Sequence, residues 1–357
     1  MMWLQNWDVY KIRIKTIISI FLTIFAIYCA IHYSKECSDG VTKGLELCMT
    51  VLVPSLFVFM VIASYSADSL LFTFLNKLLQ KPVYLFFKLE KECAGVLILS
   101  LLGGYPVGAK CIATLYKSGN ISKNQAQKLS LIAVCSGPGF VLNFVGNALL
   151  NNKLSGAILF ISQLIGFFTV AFVFGRLIKV KDENVDASSL NKKPSIVDAV
   201  SSASKATLNM CAMVVAFSAL LNVLNSVFHS YEKLNDISAL FLEITLACNK
   251  LSTQYPLYII SFAIGFSGLC VHFQIFSILK EIEINKILFF FARIIQGITS
   301  AFATYILLIL FPTASKVFST VESTTPTVST TATGAVLLVL TAVCFLNSLS
   351  FTKYKRR

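Results

Sequence analysis

Long apolar runs recur along this chain, at residues 16–31, 46–64, 129–150, 154–178, 206–228, 256–279, 287–311 and 334–351. A helix rises about 1.5 Å per residue and a bilayer core is about 30 Å thick, so a span needs about 20 apolar residues. Of the 357 residues, 56% are hydrophobic and 13% charged, whereas soluble domains carry about 25% charged residues. The pattern predicts an all-α polytopic membrane protein with about eight transmembrane helices, because only closed hydrogen bonding along each segment survives in lipid.

Two further apolar segments do not read as spans. Residues 93–116 hold Gly103-Gly104-Tyr105-Pro106 and Gly108 at their centre, which breaks a helix at membrane depth. Residues 238–255 are short, carry Glu243, and end in polar Asn249 to Gln254. If both are re-entrant helical hairpins, 23 of the 30 Lys and Arg fall on the cytoplasmic side and both termini are cytoplasmic. Making either segment a full span inverts everything after it. The basic excess is thus an orientation signal, and no basic stretch interleaved with aromatics points to nucleic acid.

The run at 16–31 follows Lys11, Arg13 and Lys15 and has the layout of a signal peptide, but no small-x-small cleavage site follows, so a retained first span is expected. Residues 68–79 place Leu71, Phe74, Leu75, Leu78 and Leu79 on one helical face, as in a helix lying on the membrane surface. Residues 181–194 form a polar linker between two halves, and the Ser/Thr/Pro tract at 319–333 is expected outside.

Each half then contains a span, a hairpin and two further spans, in the same order and with opposite direction, which is an inverted repeat. A shift of 131 residues places Ser136-Gly137 on Ser267-Gly268 and Asn143 on Gln274, with Gln163 and Gln296 within two residues of alignment.

Inverted repeats carry their solute site near the midplane, where broken helices expose N–H and C=O groups. The breaks expected here are Gly103 to Gly108, Ser136 to Gly139 and Gly265 to Gly268. Small residues there also suit close helix packing. Glu243 is the one acid well inside an apolar segment. It reads either as a coupling group or solute anchor, with Thr245 beside it, or as a helix cap. Asn143 and Asn147 share a helical face and serve either a cavity or an interhelical contact. His272 and Gln274 read as solute or proton ligands or as packing residues, and Arg293 is expected to snorkel to the cytoplasmic surface.

No phosphate-binding loop, zinc-protease motif, nucleophile elbow or paired-acid motif is present, so no enzymatic activity, cofactor or metal is expected. The ten cysteines contain no CxxC pair and mostly lie in apolar runs.

Four stretches in order, GGYPVGAKCIATLYKSGNIS (103–122), CSGPGFVLNF (135–144), LEITLACNKLS (242–252) and GFSGLCVHFQIFSIL (265–279), resemble the YlbJ-like sporulation integral membrane proteins, which carry a nucleoside recognition or Gate domain. The resemblance implies a multi-pass cell-membrane protein of an endospore former, a role in spore and cortex formation, and kinship with concentrative nucleoside transporters. It divides the chain into an anchor span (1–44), a first Gate-like repeat (45–180), a cytoplasmic linker (181–205), a second, inverted Gate-like repeat (206–311), and an outer loop, last span and basic tail (312–357). The function expected is secondary transport of a small polar solute, nucleoside-like by the resemblance, or of an ion. The alternative is a non-transporting scaffold for spore-envelope assembly. The expected partners are the lipid bilayer, the solute or coupling ion, and either further copies of the chain or spore-envelope proteins.

Overall fold

The computed structural model describes residues 16–17, 20–21, 23–67, 70–89, 93–178 and 195–312. Among the described residues every regular element is helical. The linker at 181–194, the outer tract at 319–333, the run at 334–351 and both termini lie outside them.

In chain order the helices are α1 (Thr23–His32), α2 (Ser34–Leu47), a π-helical turn (Cys48–Leu52), α3 (Val53–Ala67) and α4 (Leu70–Phe87). Next come α5 (Cys93–Gly103), α6 (Tyr105–Lys117), α7 (Lys123–Ile132), a π-helix (Gly139–Leu149) and α8 (Lys153–Leu177). After them come α9 (Ile196–Val227), α10 (Glu232–Leu242), α11 (Ile244–Leu251), α12 (Leu257–Phe266), α13 (Gly268–Ile278) and α14 (Lys286–Leu310).

Five stretches are long and apolar enough to cross a membrane: Ser34–Ser66, Lys153–Leu177, Ile196–Val227, Leu257–Ile278 and Lys286–Leu310. Their outer faces carry exposed Ile161, Ile165, Phe168 and Phe172 on α8 and Phe291, Ile298 and Phe302 on α14. Such contiguous apolar surface requires lipid. The chain is an integral membrane protein with several crossing helices.

The apolar runs at 154–178 and 287–311 coincide with α8 and α14, each started by an asparagine cap. The Asn152 side chain accepts from Leu154 N and Ser155 N, and Asn285 from Leu288 N. The runs at 46–64 and 206–228 begin too late, since helix extends back to Ser34 and Ile196. Lys35, Glu36 and Asp39 end an apolar run but not a helix, and Ser195 caps α9 at Asp198 N. The run at 129–150 is interrupted: α7 starts from a capping box of Ser122 and Gln125, ends at Ile132, and gives way to non-helical chain before the π-helix. The run at 256–279 is likewise cut at Ser267.

Glycines let α2 and α9 meet. A Cβ on Gly40 would lie 2.6 Å from Ala219 Cα, and one on Gly44 2.8 Å from Val215 Cα, so α2 and α9 touch backbone to backbone. α8 packs on α14 in the same manner, with a Cβ on Gly166 reaching 2.9 Å from Gln296 O. α4 leaves Phe74 and Leu78 exposed while Phe72 is buried.

Candidate functional site

The site is built from four helix breaks that meet in two pairs. In the first pair, α5 ends at Gly103 and Gly104 takes φ 76°, ψ −167°, which only glycine adopts readily. Tyr105 and Pro106 then open α6, with proline where its missing N–H is harmless. A Cβ on Gly104 would come within 3.1 Å of Gly137 N, and a Cβ on Gly137 within 3.1 Å of Gly104 N. The α5–α6 junction therefore lies directly on the break in the following apolar run.

The second pair repeats this relation. Glu243 is extended between α10 and α11, and Ser267 (φ 76°) and Gly268 (φ 65°) separate α12 from α13. A Cβ on Gly268 would meet Leu242 O at 3.2 Å, Ile244 N at 3.3 Å and Glu243 N at 3.4 Å.

Tyr105 joins the two pairs. Its hydroxyl donates to Ile264 O at 2.8 Å, in the last turn of α12, and makes a short contact with Ser136 Oγ. With the phenol proton committed to the carbonyl, Ser136 is the donor in that contact. The Ser267 side chain also neighbours the phenol and lies 3.3 Å from Ile264 O. Ser136 and Ser267, paired by the 131-residue shift, are both fully buried at this one tyrosine.

Beside the tyrosine is a small cleft, with about 40 Å³ of accessible volume. Gly103, Gly104, Tyr105, Pro106, Gly137, Glu243, Thr245 and Gln274 line it, joined by Leu52, Leu56 and Met60 of the α2–α3 helix and Met210 and Val214 of α9. The lining is mainly apolar with a few convergent polar groups, a common composition for small-molecule sites. Glu243 is 1% exposed. Its carboxylate accepts from Leu246 N at 2.7 Å and Thr245 Oγ1 at 3.1 Å, capping α11. Gln274 donates to Cys270 Sγ at 3.4 Å.

The comparisons follow this geometry. A Bacillus subtilis (strain 168) protein described as sporulation integral membrane protein YlbJ is 24% identical over 336 residues, covering 82% of each chain. The chain is similar to this sporulation protein along most of its length. No family model matches it, and no solved structure does.

Of the expected site residues, Ser136, Asn143, Ser267, Gly268 and His272 do not line the cleft, and two of them sit in quite different surroundings. Asn143 is exposed on the π-helix and does not line it. Asn147, nearly one turn further along the π-helix, is exposed as well, so the two amides keep a shared face that points away from the cleft. His272 is fully buried among the rings of Phe266, Phe289 and Phe290, donates from Nε2 to Phe266 O at 2.8 Å, and leaves Nδ1 without a partner.

Arg293 corrects the sequence reading. It does not snorkel to the surface; it is fully buried, and its guanidinium donates to Leu131 O, Val134 O and Gln296 Oε1. The reason is the break after α7: a helix end leaves its last carbonyls without intrahelical partners, and a cation satisfies both their hydrogen bonding and the helix dipole. Gln163 of α8 makes the reciprocal reach, donating to Ser261 O of α12 at 2.9 Å. The usable signal in the sequence was an arginine three residues before an amide in a chain that elsewhere leaves carbonyls free. The apolar wall from Leu52 to Val214 carried no chemical signal at all.

Proposed function

We propose that this chain is a sporulation-associated secondary transporter that moves a small polar solute, nucleoside-like or ionic, by alternating access. The observation that carries this reading is the twofold use of one arrangement, in which a hairpin tip lies on the break of the next crossing segment and both pairs share Tyr105 beside a cleft. The order of long helix, broken hairpin, broken segment and long helix occurs twice, which supports an inverted repeat of about eight crossings with two re-entrant hairpins. Backbone groups freed at the breaks replace water around a solute, and Glu243 is the acid in the cleft available to couple or anchor it. The similarity to the Bacillus protein supports the sporulation context.

A second reading is a non-transporting scaffold for the spore envelope. It is favoured by the capped carboxylate of Glu243, which already has two donors, and by the apolar lining around it.

A thermal-unfolding panel of nucleosides, other small polar solutes and monovalent cations on the purified protein separates the two. Transport predicts that one solute class raises the midpoint and that Glu243→Gln loses the response while still folding, since a ligand of the folded form adds apparent stability. A panel without any response, together with normal spore formation by Glu243→Gln across pH and ion conditions, establishes the scaffold reading.

A further inference from the structure

A second cleft, of about 260 Å³, shares no lining residue with the central one. Its polar wall consists of Lys43 from α2, Ser218, Asn222 and Asn225 from α9, and Asn249 and Lys250 from α11, over an apolar floor that includes Leu221 and Leu246. Asn222 and Asn225 fall in the last turns of α9, and Lys250 falls in the last turn of α11, so the cleft opens where helices end rather than at their middles.

The hydrogen bonding of this wall is incomplete. Asn222 is fixed at both ends of its amide, donating to Glu36 O at 2.7 Å and accepting from Lys43 Nζ at 3.2 Å. The Lys43 ammonium thus has a neutral partner and an uncompensated charge. Lys250 Nζ is paired with Asp236 Oδ1 at 2.8 Å, and the other oxygen of that carboxylate accepts from the Tyr255 hydroxyl at 2.7 Å, so Lys43 supplies the wall's excess positive charge. Ser218 is 2% exposed and its Oγ has no partner, and Asn225 Oδ1 is buried without one. Buried polar atoms without partners are uncommon because each forfeits its water.

We infer that this cleft binds a phosphate ester carrying free hydroxyl groups, with Lys43 and Lys250 at the phosphate and Ser218 and Asn225 at the hydroxyls. Two ammoniums arriving from different helices act as point charges, which suits a tetrahedral oxyanion approached from several directions. Ser218 Oγ and Asn225 Oδ1 accept from hydroxyls, and the apolar floor takes the carbon skeleton. Such chemistry is shared by a glycerol-phosphate lipid headgroup and by a free sugar or glycerol phosphate. This assignment does not depend on the transport reading.

The test uses the full chain in phosphatidylcholine nanodiscs, followed by thermal unfolding. One arm titrates glycerol 3-phosphate against sodium chloride of matched ionic strength, and the other replaces part of the phosphatidylcholine by phosphatidylglycerol. A saturable rise of about 4 °C is expected in one arm or in both. A response to the soluble ester alone identifies a free ligand, and a response to phosphatidylglycerol alone identifies a headgroup. Lys43→Gln and Ser218→Ala should each lose most of the rise, while Lys35→Gln, about two helix turns away on α2, keeps it. Asn225→Leu leaves both lysines in place and serves if Lys43→Gln does not fold. No rise in either arm, a rise matched by sodium chloride, or an undiminished rise in folded Lys43→Gln or Asn225→Leu overturns the assignment.

Discussion

The hydroxyl of Tyr105 donates to the carbonyl of Ile264, 2.8 Å away across 159 residues of sequence. The first residue of α6 thereby closes the last turn of α12. Tyr105→Phe keeps the ring and removes the bond, leaving Ile264 O and Ser136 Oγ to find other partners. A loss of about 1 kcal/mol is expected, in the range of single buried hydrogen bonds in membrane and soluble proteins. Equilibrium unfolding in mixed micelles measures it. A double cycle with Ser136→Ala should show coupling, and strict additivity would mean that the two hydroxyls act separately.

Arg293→Met replaces a buried cation by an apolar chain of similar length. Leu131 O and Val134 O then lose their donor, and a loss of about 3 kcal/mol is expected, enough to lower the yield of folded protein. Arg293→Lys should recover only part, because one ammonium does not reproduce the planar fork. Size-exclusion yield and thermal midpoint together report both effects.

Gly104→Ala is expected to cost more than Gly119→Ala. Both glycines have positive φ, 76° and 70°. Only at Gly104 does the added Cβ also come within 3.1 Å of another break, at Gly137 N. Gly119→Ala should cost about 1 kcal/mol and Gly104→Ala about 2 to 3 kcal/mol. Equal midpoints for the two variants would show that the α5–α6 junction is not held against the break.

At the surface, Lys123 Nζ is 2.6 Å from Glu283. The hydrogen bond from Lys123, and then its charge, hold the Glu283 carboxyl below its ordinary value, and Glu283 raises Lys123 in return. The Glu283 contribution is therefore complete above its unfolded value of 4.5 and is lost as pH falls through the lowered folded one. The Lys123 contribution is complete below 10.5 and lost as pH rises through its raised value. Glu283→Gln should flatten the acid limb of the stability profile relative to the parent chain. At about 1 M salt the two profiles should coincide, because exposed pairs are screened.

Three of the four breaks were legible because glycine and proline inside an apolar run are hard to reconcile with an unbroken helix: Gly103 to Gly108, Ser136 to Gly139 and Gly265 to Gly268 all mark real interruptions. The fourth, at Glu243, has no glycine or proline and was reached only through its charge and the balance of basic residues. The early starts of α2 and α9 were hidden by charged residues that a helix outside the lipid core tolerates. Arg293 was misplaced because its partners lie 159 and 162 residues away, and depth within a span says nothing about carbonyls on another helix. The aromatic enclosure of His272 is likewise a product of packing between α12, α13 and α14.

The bond between Arg293 and α7 also has a consequence for synthesis. Ribosomes add about 5 to 20 residues per second, and Val134 precedes Arg293 by 159 residues. For roughly ten to thirty seconds the carbonyls at the end of α7 exist without the guanidinium that will close them. During that interval their hydrogen bonds must come from water, from the insertion machinery or from temporary partners in the nascent chain. The first half cannot reach its final form before the last described helix has entered the membrane, so a truncation before α14 should leave α7 and the cleft unfinished however well the earlier segments insert.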